Sequence, residues 1–426
     1  MSPDRNRNYN FDWISILIYL LLVGFGWVNI LSASHTGEIT SYFDLSQPFG
    51  KQSIFIIASV VLIILILSIE AKFYERFSSI IYILSIISLL GLFVFGKTVS
   101  GATSWYGIGG FTIQPSEFAK VATSLAVAKY ISDLQTNIKI FKDQLRLFAI
   151  ISIPAILILL QNDAGSTIVY SAFFFVLYRE GLPRWYLLVA VFLILVSVLT
   201  LKFGVLPAVL FIGSMIFLIH FFGTKKRTSI LRPIGIIILA IGLSFGVKYF
   251  YESILKPHQQ DRISLWLRLE KDPVKLEKMK KTILYNLNES EKAIGSGGFT
   301  GKGFMEGTRT VGKFVPEQHT DYIFSTVGEE WGFLGSSLVV LLFVFLIVRI
   351  LQRAELQKSQ FSRVYGYSVA SIFFIHFLIN VGMVMGLIPT IGIPLPFFSY
   401  GGSGILAYTL LLFIFIRLDS NRINEW

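Results

Sequence analysis

The residues best suited to chemistry lie in one polar stretch, residues 303–332, GFMEGTRTVGKFVPEQHTDYIFSTVGEEWG, with Asp321 near its middle. An Asp carboxyl, with an ordinary pKa of about 4, is ionised at neutral pH and can take the proton of an attacking hydroxyl. The same residue type also suits the N-cap of a helix beginning after Thr320, and the sequence leaves both roles open. Glu329 and Glu330 are candidate second carboxylates. If a helix starts at Asp321 and runs to Trp331, Glu329 stands roughly 12 Å along its axis, too far for a direct pair. Upstream, AIGSGGFTGKGF (residues 293–304) has five glycines in a dozen residues, a backbone able to turn its N–H groups onto an anion. It is not a Walker loop, which needs Gly where Ser296 stands and Ser or Thr where Gly303 stands. Without a nucleotide site, energy for a reaction must come from the substrate or an ion gradient.

These residues close a segment, 251–331, that is 81 of 426 residues yet holds 12 of the 37 Lys and Arg and 12 of the 26 Asp and Glu. Most of the remaining chain is apolar. A chain that is 54% hydrophobic and 15% charged, with mean hydropathy +0.67, cannot stay soluble as an ordinary globular domain. The expected fold is all-α, a polytopic integral membrane protein of 10–12 transmembrane helices with one large extracytoplasmic loop. Twelve runs of near-spanning length lie near residues 13–31, 53–69, 77–96, 115–132, 147–160, 165–178, 185–200, 205–222, 232–250, 332–351, 364–386 and 402–418. The first is too long for a cleaved signal core and reads as a signal anchor. The chain thus divides into an N-terminal bundle (1–250), the loop (251–331) and a C-terminal bundle (332–426).

With the N-terminus inside, twenty Lys and Arg fall in inside loops, against Lys51, Lys97 and Lys202 in the opposite short loops. This asymmetry places both termini in the cytoplasm and the 251–331 loop outside. The net charge of +11 is therefore topological, and no nucleic-acid partner is expected. Trp13, Trp27, Trp105, Trp185 and Trp331 fall at span ends, where an amphipathic ring prefers to sit. Zero Cys rules out disulfides, thiolate metal sites and thiol nucleophiles. Within the loop, Met279, Ile283, Leu284 and Leu287 recur at helical spacing beside Lys278, Lys280 and Lys281, a pattern for a helix on the membrane surface or on the spans themselves.

Ionisable groups inside apolar runs are costly and therefore informative. Glu117 and Lys120, three apart on a helix opened by Gln114-Pro115-Ser116, share one face, either as a structural ion pair or as the lining of a polar cavity that touches substrate. Asp163, in Gln161-Asn162-Asp163-Ala164-Gly165, suits a cap for the next helix or a substrate contact. His220 and His376 are single histidines in apolar runs and receive no role. Residues 388–404, IPTIGIPLPFFSYGGSG, with three prolines and four glycines, fit a re-entrant or capping segment.

Five blocks in order, GATSWYGIGGFTIQPSEFAK (101–120), QNDAGS (161–166), AIGSGGFTGKGF (293–304), FVPEQHTDYIFSTVGEEWGFLG (314–335) and NVGMVMGLIPTIGIPLPFFSYGGSG (380–404), resemble the SEDS family of bacterial cell-wall polymerases. Gly392-Ile393-Pro394-Leu395-Pro396 and Gly382-Met383-Val384 look more like its RodA elongation branch than its FtsW division branch. The resemblance implies a peptidoglycan glycosyltransferase joining lipid II disaccharides into strands on the outer face of the cytoplasmic membrane. It places the catalytic carboxylate at Asp321 and polar fourth-span residues at Glu117 and Lys120, and implies a class B penicillin-binding protein as partner.

In that chemistry a sugar hydroxyl displaces pyrophosphate from an anomeric carbon, and one inverting step needs one base; two carboxylates about 5 Å apart would suit a retaining route instead. Lys302, Arg309, Lys313, Lys120 or a divalent cation, Mg or Mn, would balance the leaving group's charge. His319 would orient Asp321, touch substrate or face solvent. Asp163 and Ser399 complete the expected substrate contacts, and no other cofactor is expected. Three departures stand out. Ser104 occupies the position before Trp105 where most relatives have Arg; Asn162 and Ala164 stand where Pro and Leu are more usual; and the runs at 205–250 exceed the family's usual ten spans. The rival reading is a carrier that flips lipid-linked precursor without glycosyl transfer, and a third is a non-catalytic scaffold for the crosslinking partner.

Overall fold

Backbone in hydrocarbon must satisfy its own hydrogen bonds, which leaves helices as the solution for a chain of long apolar runs. A computed structural model describes residues 11–35, 41–99, 101–109, 111–222, 230–269, 272–274, 276–277, 284–316 and 318–422. In chain order the elements are α1 (Trp13–Ser34), α2 (Pro48–Ser68), α3 (Ala71–Phe95), the strands β1 (Lys97–Val99), β2 (Ala102–Ile108) and β3 (Phe111–Ile113), α4 (Pro115–Ser132), α5 (Phe141–Leu160), α6 (Ala164–Val169) and α7 (Ala172–Arg179). There follow α8 (Trp185–Phe203), α9 (Val205–Phe222), α10 (Leu231–Tyr249) with a π turn at Phe250–Ile254, α11 (Pro257–Trp266), α12 (Tyr285–Ser296), α13 (Thr308–Val311), α14 (Ile323–Glu330), α15 (Gly332–Glu355), α16 (Gln360–Val384) and α17 (Gly402–Ser420).

Among the described residues, ten of these helices are long and apolar enough to cross a membrane. Two of the twelve expected runs fall outside that count. The run at 165–178 breaks into α6 and α7, and α4 is the least apolar of the long helices because fourteen of its eighteen residues are buried in protein. The surface helix expected around Met279 rests mainly on residues 278–283, outside the described residues.

The chain forms two units. The larger takes the chain up to Leu182, Glu289–Leu387 and everything from Ile391 on; the smaller is Pro183–Asn288 with Ile388–Thr390. In the smaller unit α8, α9 and α10 pack around Val196, Ile212 and Ala240, with a Thr200 to Ser244 hydroxyl bond of 3.0 Å inside. Arg262 donates to the Thr390 carbonyl at 3.0 Å.

The larger unit is built around α4, α16 and α17. Pro115 at its first position and Glu117 in its first turn suit the start of α4, and Lys129 suits its end. Its run of Ala, Ser and Thr lets α3, α5, α16 and α17 approach closely. Between α3 and α4 the chain makes a small antiparallel sheet, order β1-β2-β3, with Tyr106 opposite Ile113 and Ile108 opposite Phe111. The Thr103 amide donates to the Gln161 carbonyl at 3.0 Å, tying the sheet to the turn before α6. Ser104 is fully buried in β2, where a charged side chain would need a buried partner of opposite charge.

The helix ends remote from the Asp321 block carry charged fasteners. Arg349 pairs with Asp12 at 2.9 Å, Arg353 with Asp419, and Arg363 with Glu180 at 3.0 Å, while Gln357 donates to the second Asp419 oxygen at 2.6 Å. Three helices close in at Gly366, where a Cβ would stand 2.5 Å from the Phe415 ring and 2.8 Å from the Ala354 Cβ. Gly366→Val should therefore lower the unfolding midpoint in detergent, with a loss of about 1–3 kcal/mol. Gly213→Ala, which meets open space, should leave the midpoint unchanged or higher.

Candidate active site

Asp321 ends an irregular run and is half-buried. The helix after it, α14, is capped at Tyr322 without a side-chain bond, so Asp321 is not the N-cap that its type allowed. Its carboxylate instead lies against Gly392, where an added Cβ would come within 3.0 Å of Asp321 Oδ2 and where φ is +79°. A side chain at 392 would thus be both strained and in the way. The Asn380 amide donates twice, to the Asp321 carbonyl at 2.8 Å and to the Ile393 carbonyl at 2.7 Å. The Tyr400 amide donates to the His319 carbonyl at 2.9 Å, with the two rings 5.5 Å apart. The polar block and the 388–404 segment are therefore tied together at Asp321.

Other expected site residues converge on the same place. Asp163 caps α6, accepting from the Ser166 amide at 2.9 Å and hydroxyl at 2.8 Å, and from Gln114 at 3.0 Å. A Cβ on Gly165, two residues on, would stand 2.9 Å from the Gly392 carbonyl. The turn before this cap holds Asn162 at φ +62°, its N–H donating to the Leu159 carbonyl at 3.0 Å. Lys120 reaches both Glu117 oxygens at 2.8 Å and His376 Nε2 at 2.9 Å. The Tyr408 hydroxyl lies within electrostatic reach of Glu117, Asp163 and Asp321. Ser399 accepts from the Leu395 amide at 2.8 Å and holds the bend before α17.

The loop cations are spread differently. Lys302 bonds Glu329 at 2.8 Å, Arg309 pairs with Glu289 and lies 5.6 Å over the Phe314 ring, and Lys313 is exposed at φ +52°. Glu329 organises this loop, accepting also from the Arg309 amide at 3.0 Å and from the Thr310 amide and hydroxyl at 2.8 and 2.9 Å. Burial alone would raise its pKa, but the Lys302, Arg309 and Thr310 bonds bring it below the usual carboxylate range.

The glycine run does not cradle an anion. The Lys302 and Gly303 amides donate to the Glu329 and Glu330 carbonyls at 3.0 and 3.1 Å, and the Phe333 amide donates to the Gly298 carbonyl at 3.0 Å. Glycines are needed because the two backbones touch: a Cβ on Gly301, at φ +85°, would collide with the Glu330 carbonyl. Two residues of the site received no role from the sequence. His376 and Asn380 find partners only through contacts hundreds or tens of residues away.

The cell cycle protein family of FtsW, RodA and SpoVE matches over residues 12–207 and 202–424. The chain belongs to this family. It is 30% identical to the peptidoglycan glycosyltransferase RodA of Treponema pallidum, over 97% of this chain and 98% of that protein. It is 29% identical to the peptidoglycan glycosyltransferase MrdB of Escherichia coli K12, over 99% and 98%. A chain in a solved peptidoglycan synthase complex, described for coordinating polymerization and crosslinking, shares its fold with a TM-score of 0.71 at 22% identity, over 97% of this chain and 99% of that one. Proteins named FtsW match at 26 to 28%, so this family member is more RodA-like than FtsW-like.

Next to the ionised Glu329, Glu330 behaves oppositely. It is buried, one oxygen accepts from Ser32, and burial pushes its carboxyl up to about 7, with Glu329 adding repulsion. The folded protein therefore holds a proton that the unfolded chain releases near 4.5, so the contribution of Glu330 to stability is fully present below about 4.5 and is lost as pH rises through about 7. Glu330→Gln, which stays neutral, should flatten unfolding midpoint against pH between 5 and 8 and raise it at pH 8, by on the order of 3 kcal/mol at most. Thermal unfolding in detergent across that range checks this.

Proposed function

We propose that this protein polymerises lipid II into glycan strands for cell elongation and shape, with Asp321 as general base. The observation that carries the reading is the Asp321 carboxylate, half-buried and held against Gly392, in a chain whose relatives are peptidoglycan glycosyltransferases. A sugar hydroxyl oxygen attacks the anomeric carbon of the lipid-linked donor. The new C–O bond forms as the bond to pyrophosphate breaks, the configuration inverts, and the hydroxyl proton passes to Asp321. The leaving group departs as polyprenyl pyrophosphate.

A retaining route would need a second carboxylate beside Asp321. Glu329 and Glu330 sit at the far end of eight-residue α14 and are committed to other partners, which favours inversion. Lys120 is buried against Glu117, whereas Lys302 and Arg309 keep part of their side chains accessible and Lys313 is exposed, so the charge on the leaving pyrophosphate falls to these three, with His319 as a further substrate contact. Among the described residues no group of three or more His, Asp or Glu is arranged to hold a metal ion; a divalent cation, Mg or Mn, carried by the pyrophosphate itself would add to the charge these side chains supply.

The block faces outward from the bacterial cytoplasmic membrane; the basic loops on the opposite side and the Arg fasteners at the remote helix ends support that orientation. The partner is a class B penicillin-binding protein that crosslinks the strands, a reading supported by the synthase complex to which the fold is similar. Purified protein with labelled lipid II tests the proposal. Asp321→Asn should lower strand synthesis by about 10²–10⁴-fold, the usual range for losing a general base. Undiminished synthesis, or lipid movement across vesicles without strand products, would overturn it.

A further inference from the structure

Lys120 is an ammonium with three hydrogens and no lone pair, so its three bonds, two to Glu117 and one to His376 Nε2, exhaust it. Since the ammonium can only donate, His376 Nε2 must accept. The ring proton then sits on Nδ1, which donates to the Pro394 carbonyl at 3.2 Å. One helical turn further along α16, on the same face, Asn380 holds the neighbouring Ile393 carbonyl at 2.7 Å and the Asp321 carbonyl at 2.8 Å. The residue before those two is Gly392, at φ +79°, against which the Asp321 carboxylate rests. Two consecutive carbonyls, those of Ile393 and Pro394, are thus held by α16, and the residue before them lies against the Asp321 carboxylate.

Glu117, Lys120, His376 and Asn380 are 4%, 1%, 1% and 0% exposed, so none presents a surface to a sugar or a phosphate. We infer that Asn380 and His376 are positioning residues that set the place of the Asp321 carboxylate, and that the Glu117–Lys120 pair acts on turnover through His376 and Pro394 rather than by touching substrate. This rests on the reading of Asp321 as the base. A base displaced by an ångström loses rate while substrate binding, carried by other groups, is kept.

The test is steady-state strand synthesis by purified protein with labelled lipid II, with thermal unfolding as the folding control. Asn380→Leu, of similar size but without donors, should lower kcat by about 10²-fold and leave KM within about twofold. His376→Leu should do the same. His376→Gln, whose amide can accept from Lys120 and donate to Pro394, should restore most of that kcat, a rescue that a merely space-filling role would not show. If Asn380→Leu does not fold, the two His376 variants decide alone. A folded Asn380→Leu with wild-type kcat, a rise in KM at constant kcat, or equal loss in His376→Gln and His376→Leu overturns the inference. Inactive Asp321→Asn beside active Asn380→Leu and His376→Leu overturns it while sparing the base; active Asp321→Asn overturns both.

Discussion

A full positive charge inside a helical bundle costs several kcal/mol unless a carboxylate and further acceptors surround it. Lys120 imposes that condition on three helices at once. Glu117 comes from its own helix α4, His376 from α16 and the Tyr408 ring, 5.4 Å away, from α17. The condition ties the packing of these helices together, and the small side chains of α4 let them come near enough. Since His376 also bonds Pro394, the requirement extends beyond the spans into irregular backbone that would otherwise have no reason to hold one shape.

The adjacent pair Glu329 and Glu330 shows how one turn of helix can place identical side chains in opposite chemical states. Successive helical residues point about 100° apart, so the first faces Lys302 and the amides of α13 while the second faces Ser32 on α1. One fastens the loop as an anion; the other, its carboxyl pushed up to about 7, seals the helix contact and is neutral below that pH. The loop holding Lys302 and Arg309 is thereby fixed to the same short helix that begins just after Asp321, and the spacing between these groups follows from one rigid element.

Much of this was legible in the residues. Hydropathy runs located the spanning helices because their length and apolarity are local properties, and the charge-rich 303–332 block stood out for the same reason. Spacing brought Glu117 and Lys120 to one face, since that depends only on helix geometry. What could not be read depends on contacts between distant segments. The glycines of 293–304 looked free to bind an anion, but their amides meet carbonyls near residue 330. The sheet at 97–113 is too short and glycine-rich to show an alternating pattern, and His376 looked like any lone histidine in an apolar run. The break between α6 and α7 has no proline or glycine to announce it.

The turn before α6 sets a boundary on how this sequence can change. Asn162 adopts φ +62° and gives its N–H to Leu159, whereas the proline more usual there in the family is locked near −65° and has no N–H to give. The two versions of the turn are therefore separated by a backbone rearrangement rather than by a side-chain exchange. Asn162→Pro made alone would give up the Leu159 bond and swing φ from +62° to the proline range, shifting the turn from which Asp163 caps α6.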